Sequence, residues 1–356
     1  MRLQRYILQE LLVAFAFAVG GMMVLALPAI AVAAVSRLSG VDTQAILYFV
    51  PLLLAGLVPY IVPLGFLLAA VVTYGRLAAD KEWTAAIMSG RNPYSLLLPG
   101  IVVALGASIS TLWLVSEVLP AIRRTQSEYQ VAALRSTLTN LGPGRTELHL
   151  GRFYIAAGFR DGPDFMNAMI YLPGQRGESA RTVLADRVHF QIADRSMYVH
   201  LKNPRIVRGQ LDVRGGDPIV RLDLDDFQNE GPRQFASMRY QKTTDLMAGL
   251  ARGDFDEDPP RKRLVLYEIH QRCATSSTCF LFLLLGVPTG LLLRKGTQLS
   301  ALATAVGYAL LYYLLSMRLS KQLAFGHFLS PQMGAWAISI LGAVFGLWLM
   351  RRAMRR

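Results

Sequence analysis

The residue types that usually carry chemistry occur in this chain without the spacing chemistry needs. The five histidines, at 149, 189, 200, 270 and 327, are scattered and form no HExxH or other metal-ligand pattern. Gly142-Pro143-Gly144-Arg145 is the nearest approach to a phosphate loop, and it lacks the lysine and following hydroxyl that grip a nucleotide. No GxSxG elbow occurs. Cys273 and Cys279 lie in or beside an apolar run and read as small apolar side chains of a helix. The chain is therefore expected to be no enzyme, to hold no metal and no cofactor, and to draw its energy from a partner. One stretch stands out, Gly75–Pro93 (GRLAADKEWTAAIMSGRNP). Asp80 and Glu82 sit near the start of a short helix, where acids favour the dipole; Ser89-Gly90 ends it and Pro93 opens the next element. Such an amphipathic helix can dock into a groove on a soluble partner; the alternative is a solvated interfacial turn with dipole-matched acids.

The elements around that stretch follow from where charge is missing. Of the 356 residues, 53% are hydrophobic and 17% charged, with a mean hydropathy of +0.35. A soluble domain carries roughly 25% charge. Disorder, collagen and a disulfide scaffold are excluded by the same composition, with only two cysteines and 30 glycines. Charge-free runs cover Leu11–Ser36, Thr43–Gly75, Asn92–Ser116, Cys273–Leu293, Gly296–Met317 and Gln322–Met350. Each reaches the roughly 20 residues that an α-helix needs to cross hydrocarbon. Three spans (1–116), a central block (117–272) and three more spans (273–356) result. Asp, Glu, Lys and Arg are absent from all six runs, which argues against a proton- or ion-driven secondary transporter.

A pI near 10.0 invites nucleic-acid binding, but the distribution of charge excludes it. The central block holds 23 of the 37 basic and 20 of the 24 acidic residues, a balance of +3. The membrane portions carry the rest, a balance of +10. With the N-terminus inside, eleven bases fall on cytoplasmic segments: Arg2, Arg5, Arg76, Lys81, Arg91, Arg294, Lys295, Arg351, Arg352, Arg355 and Arg356. Only Arg37, Arg318 and Lys321 fall on short outer loops. Positive-inside bias then puts both termini in the cytoplasm and the central block in a periplasm. The first run, 26 residues long, exceeds the roughly 7–15 of a signal peptide and reads as a retained helix.

The central block changes period. Glu117–Ser136 continues the third span as a helix, after which apolar residues alternate with polar ones: Val188, Phe190 and Ile192; Met197, Val199 and Leu201; Val220, Leu222 and Leu224. Pro173-Gly174, Ala193–Ser196 and Gly215–Pro218 supply turns. A sandwich, jelly roll or open barrel all fit. The charged, proline-broken run Asp254–Lys262 reads as a linker back to the fourth span. Gly286-x-x-x-Gly290 and Gly342-x-x-x-Gly346 allow close helix approach, within this chain or against a second membrane subunit.

In order along nearly the whole chain, the sequence resembles the lipopolysaccharide-export permeases LptF and LptG (the YjgP/YjgQ family). The matching pieces are Arg5-Tyr6-Ile7-Leu8-Gln9-Glu10, Gly75-Arg76-Leu77 with Asp80-Lys81-Glu82 and Ser89-Gly90, and Glu268-Ile269-His270-Gln271-Arg272. Leu285-Gly286-Val287-Pro288-Thr289-Gly290, Tyr312-Tyr313, and Pro331 with Trp336 complete them. The resemblance implies the membrane core of an ATP-binding-cassette exporter, built with a second such permease or a second copy. It makes residues 76–91 the coupling helix for an LptB-like ATPase, with Asp80, Glu82, Ser89 and Gly90 at the contact. It also makes the central block a periplasmic β-jellyroll that hands lipid to an LptC-like partner, giving an α+β membrane protein. Arg37, with Arg318 and Lys321, would meet the anionic head group beside a lateral gate; ordinary interfacial snorkelling is the other reading. LptF has a further basic residue before the Arg37 counterpart, where this chain has Ala33-Ala34-Val35-Ser36. Val188, Phe190 and Ile192 either line a lipid groove or pack a core. The function expected is extraction of lipopolysaccharide, or a related glycolipid, from an inner membrane. A membrane-tethered periplasmic lipid-binding scaffold and a permease for another amphiphile are the rivals.

Overall fold

A computed structural model describes residues 2–37, 43–140, 146–150, 153–162, 164–172, 181–193, 196–208, 219–223, 238–292, 298–326 and 329–355. Helices α1 (Arg2–Arg37) and α2 (Thr43–Ala79) precede a short α3 (Glu82–Met88) and α4 (Pro93–Trp113). One π-helical turn, Leu114–Val118, carries α4 into α5 (Leu119–Asn140), the extension that the sequence places after the third span. The strands are β1 (Thr146–Leu150), β2 (Phe153–Ala157), β3 (Phe159–Asp161), β4 (Asp164–Leu172), β5 (Arg181–Ala193), β6 (Ser196–Lys202), β7 (Arg205–Arg208) and β8 (Ile219–Asp223). Then come α6 (Thr243–Arg252), α7 (Pro259–Ser276), α8 (Thr278–Leu292), α9 (Gln298–Phe325) and α10 (Pro331–Met354).

Six helical stretches among the described residues are long and apolar enough to cross a membrane: Arg2–Ser36, Ile46–Ala79, Pro93–Ala132, Pro259–Leu292, Ser300–Phe325 and Pro331–Met354. Each overlaps one charge-free run. Their outward faces are greasy, with Phe17 78% and Leu25 80% exposed, which only a hydrocarbon solvent tolerates at this density. The chain divides into two compact units. One comprises Met1–Ile30, Pro51–Arg123 and Met238–Arg356; the other comprises Ala31–Val50 and Arg124–Ser237. Residues 238–272, which charge counting groups with the central block, thus pack with the membrane helices.

In the helical unit, helices meet where side chains are small. A Cβ on Gly290 would lie 2.7 Å from the Val71 carbonyl oxygen and 2.8 Å from the Gly75 nitrogen, so α8 crosses α2 at backbone contact. Gly286 sits one turn away against Ala70 and Leu67. Gly342 and Gly346 of α10 accept Leu281 and Leu284 of α8 in the same manner. Both glycine pairs therefore serve packing inside this chain, the physical reason being that dispersion between closely approached backbones replaces the hydrophobic effect in lipid. Hydroxyls add a second layer: Tyr312 bonds Thr278 and Ser339 at 3.0 Å each, tying α8, α9 and α10.

The run Asp254–Lys262 is not simply a linker. Asp258 accepts a hydrogen bond from the Arg261 N–H at 3.2 Å as the N-cap of α7, and Pro259-Pro260 fill its first positions. Prolines there break nothing, because those N–H groups have no helical partner.

In the other unit the strands form one antiparallel sheet, order β1-β2-β4-β5-β6-β8, with β3 pairing with β4 and β7 with β5. The alternation read from sequence covers β5, β6 and β8. Phe165, Val188 and Leu201 lie side by side across three strands, all buried. Strict alternation fails further along: on β5 the buried positions move from Val188 to Ala185 and Val183, and on β4 from Phe165 to Ala168 and Ile170. The switch falls at Asn167, whose φ is 52°, and at Asp186 opposite it. Asn203, with φ 51° and a hydrogen bond to Asp186 at 3.2 Å, separates β6 from β7 on the same line. Asparagine tolerates this left-handed conformation, which is how a strand changes the face it buries. The turns at 173–174 and 215–218 and residues 194–195 lie outside the described residues.

Gly290→Ala is expected to destabilise the detergent-solubilised protein by roughly 1–3 kcal/mol, the usual cost of overpacking. Gly106→Ala, where a Cβ meets nothing within 4 Å, should leave the thermal melt nearly unchanged.

Candidate functional site

The stretch singled out by its acids is built in three pieces. Arg76–Ala79 belong to α2, and the chain then turns at Lys81, which has φ 62° and ψ 7°. A non-glycine residue in this left-handed conformation costs on the order of 1 kcal/mol, so the turn is held by its surroundings. Helix α3 runs only from Glu82 to Met88. It closes with a Schellman cap: Gly90 N–H donates to Ile87 O at 2.9 Å and Arg91 N–H to Ala86 O at 3.3 Å. Gly90 has φ 82°, which is why glycine stands there. Ser89 Oγ donates to Ala86 O at 2.8 Å, and Asn92 caps α4 by accepting from Tyr94 N–H at 2.9 Å.

Burial fixes which way α3 faces. Trp83 is only 7% exposed and packs edge-on against Tyr74, with ring centroids 6.2 Å apart. Tyr74 in turn donates to the Leu96 carbonyl at 3.1 Å, under Gly100. Trp83 and Ala86 thus plug α3 into a core that includes Leu77, Leu291 and Met350. Asp80, Glu82, Thr84, Ile87 and Met88 are left exposed. The result is a peg: one aromatic anchor inward, and acids and methionine outward.

A charge pair sits beside the peg. Arg76 Nε lies 2.7 Å from Glu10 Oε1, and Arg76 Nη2 donates to Tyr6 Oη at 2.8 Å, joining α1 to α2. Asp80 lies within electrostatic range of the same guanidinium. Gln4 reaches the Ser95 carbonyl at 3.2 Å, so the first turns of α1 also touch the start of α4. The sequence held the signal for this pair, since Glu10 and Arg76 each lie one residue beyond a charge-free run. Two residues at the same depth and of opposite sign are natural partners.

At the other end of the helical unit, Arg318 and Lys321 are exposed, one turn apart on α9. Between them Ser320 is buried, accepting or donating with Tyr267 at 3.1 Å and donating to Gly334 O at 2.8 Å. Lys321 feels Glu268 and Arg239, and Arg123 feels Glu268, Arg239 and Arg272. Glu268 itself pairs with Arg272 at 3.2 Å, and Arg123 and Lys321 lie within its electrostatic range. Arg272, 3% exposed, is held by Glu268 Oε1 (3.2 Å), Thr243 Oγ1 (2.9 Å) and the carbonyls of Gln241 (3.0 Å) and Met238 (3.1 Å). Glu117, set on the π-helical turn, pairs with Lys242 at 3.3 Å and accepts from Thr244 at 3.1 Å. These bonds pin the chain where it re-enters the helical unit, and only tertiary contact brings them together. Arg37 is the last residue of α1, and its side chain lies outside the described residues. In the sheet, Val188 is fully buried, and Phe190 is half-buried with its ring 5.2 Å from that of Phe165. Ile192 pairs through its backbone with Met197, and its side chain lies outside the described residues.

Fold and peg together define a multi-span membrane protein with a central β unit and a short, acid-bearing helix between its second and third spans. The family model for the lipopolysaccharide export system permease LptF/LptG matches residues 5–352, and the chain belongs to that family. It is accordingly an inner-membrane permease of lipopolysaccharide transport. None of the curated proteins matches it.

Trp83→Ala should loosen α3, at a cost on the order of 3–5 kcal/mol for a buried aromatic. Trypsin is then expected to cut at Lys81 and Arg91 several times faster than in the parent. Unchanged cleavage would mean that Trp83 is no anchor.

Proposed function

We propose that this chain is one permease half of an ATP-binding-cassette exporter that lifts lipopolysaccharide out of the inner membrane and passes it to a periplasmic bridge. It pairs with a second permease of the family or with itself. Both termini and α3 are cytoplasmic. Helix α3 is the coupling helix: Glu82 and Asp80 meet basic groups on an LptB-like ATPase, while Ser89 and Gly90 set the angle at which it leaves the membrane. The observation that carries the reading is the peg itself, a helix bearing exposed acids and anchored through Trp83 to the core of a family permease. A rigid anchor is what lets a push on α3 move the helices above it.

The β unit is proposed to be a periplasmic jellyroll that delivers lipid to an LptC-like partner, with Val188, Phe190 and Ile192 toward the acyl chains. Arg37, Arg318 and Lys321 are proposed to meet the head-group phosphates. The exposure of Arg318 and Lys321, one turn apart on α9, supports this for those two, since an anionic amphiphile requires cations at the level of its phosphates and apolar surface below.

Glu82→Lys is expected to abolish ATP-driven export by setting like charge against the ATPase. The measurement is lipopolysaccharide leaving proteoliposomes that contain the complete transporter. Full export by this variant would remove the coupling assignment, and export that proceeds equally without the ATPase would remove the exporter reading. A photo-crosslinker at Phe190 should capture lipid only during ATP turnover; capture of protein alone would make that face a packed core.

A further inference from the structure

The Glu10–Arg76 pair joins α1, which the rest of the chain scarcely covers, to the corner where α2 turns into α3. We propose that this pair is a positioning strap for export: it holds α1 to the α2–α3 corner throughout the transport cycle, so that a push on α3 shifts α1 instead of sliding α2 past it. Both residues act through the helices that carry them and touch neither lipid nor nucleotide. The proposal rests on the coupling role given to α3 above and names the residues that carry its movement to α1.

Position argues for it first. Arg76 lies in the last turn of α2, where its carbonyl accepts from the Asp80 N–H at 2.9 Å, just before the left-handed turn at Lys81. The anchor of α3, Trp83, meets α2 at Tyr74, two positions from Arg76. The guanidinium is divided between two residues one turn apart on α1, with Nε 2.7 Å from Glu10 Oε1 and Nη2 donating to Tyr6 Oη at 2.8 Å. The Glu10 side chain is 14% exposed, and its Oε2 is buried and meets no hydrogen-bond partner among the described residues. That carboxylate relies on Arg76 as its cation.

The packing of α1 shows why a strap is needed. Within the chain, 6% of the most apolar stretch of Arg2–Ser36 is buried, against 78% for Pro259–Leu292. Ile7 and Leu11, at the level of the pair, are buried, whereas Leu25 and Val32 further along are 80% and 71% exposed. Above the pair the contact with α2 is apolar. Phe15 stands edge-on to Phe66 with ring centroids 5.8 Å apart, and Val19 fits over Gly65, where a Cβ would come within 2.6 Å of its Cγ2. Lipid tails compete with contacts of that kind. A charge-assisted bond is directional and fixes the register of the two helices. Charge also links the strap to α3: Asp80 lies within electrostatic range of Arg76, and Glu82 within range of Glu10. A basic group that the ATPase brings to α3 draws Asp80 away from Arg76 and relieves Glu10 of like charge, so docking tightens the strap.

The test uses the complete transporter, with its ATPase and companion permease, in proteoliposomes, and counts lipopolysaccharide released per ATP hydrolysed. Glu10→Gln keeps the shape of the side chain. It should retain the ATPase and its rate of hydrolysis while releasing about tenfold less lipopolysaccharide per ATP, within the usual range of a coupling effect. A second variant, in a Cys273→Ala, Cys279→Ala background, carries Glu10→Cys with Arg76→Cys. Joining those two thiols with a short bifunctional maleimide should restore release per ATP, because a covalent strap replaces the ionic one. If Glu10→Gln releases as much per ATP as the parent while Glu82→Lys releases none, the strap is overturned and the coupling role of α3 stands. If Glu82→Lys also exports normally, that role falls with it. A joined cysteine pair that exports no better than the unjoined one overturns the strap, since α1 and α2 must then part during the cycle. Loss of ATPase retention, hydrolysis and melting temperature together in Glu10→Gln makes the pair a structural one and overturns it equally.

Discussion

Hydrocarbon leaves no room for an unpaired charge, and the arrangement of this chain follows from that constraint. The six charge-free runs hold no Asp, Glu, Lys or Arg, so the charges of the helical unit lie at the ends of those runs and beyond them. At one end the gathering produces the Glu10–Arg76 pair and the acid-bearing α3. At the other it produces the Glu268–Arg272 pair, with Arg123 and Lys321 within electrostatic range. Between them, the described residues meet through apolar contacts and through hydroxyls bonded within the bundle. A displacement at one end is therefore passed to the other by movement of whole helices.

The contacts between those helices are suited to that task. Glycine at the α2–α8 crossing brings backbone against backbone, and the next pair seats α10 on α8. Such crossings resist sliding, since any shift drives a carbonyl into a neighbouring backbone. Trp83 ties α3 into the same core. A short surface helix thus acts as an extension of the membrane helices and not as a loose loop.

The re-entry of the chain shows a different solution to the same constraint. A buried guanidinium is costly unless its donors are matched. Arg272 meets a carboxylate, a hydroxyl and two carbonyls, all from residues within 34 positions of it. The π-helical turn that aims Glu117 at Lys242 fixes the outgoing chain close to the returning one. Both residues border the sheet-forming segment in sequence, and both are held on the helical side.

Much of this was legible in the residues alone. Charge-free length determined the six spans, alternation determined strands β5, β6 and β8, and Ser89-Gly90 and Pro93 marked the end of α3 and the start of α4, because these signals are local and each has one physical meaning. The proline-rich run at 254–262 misled, since the same residues that break a chain also open a helix, and only the cap at Asp258 distinguishes the two. Which partners the glycine pairs accept, where the sheet switches its buried face, and which cation is buried were decided by tertiary structure. Each depends on a residue far away in sequence: Val71 for Gly290, Asp186 for Asn203, Met238 for Arg272. Sequence sets what a position requires, and packing alone determines which neighbour supplies it.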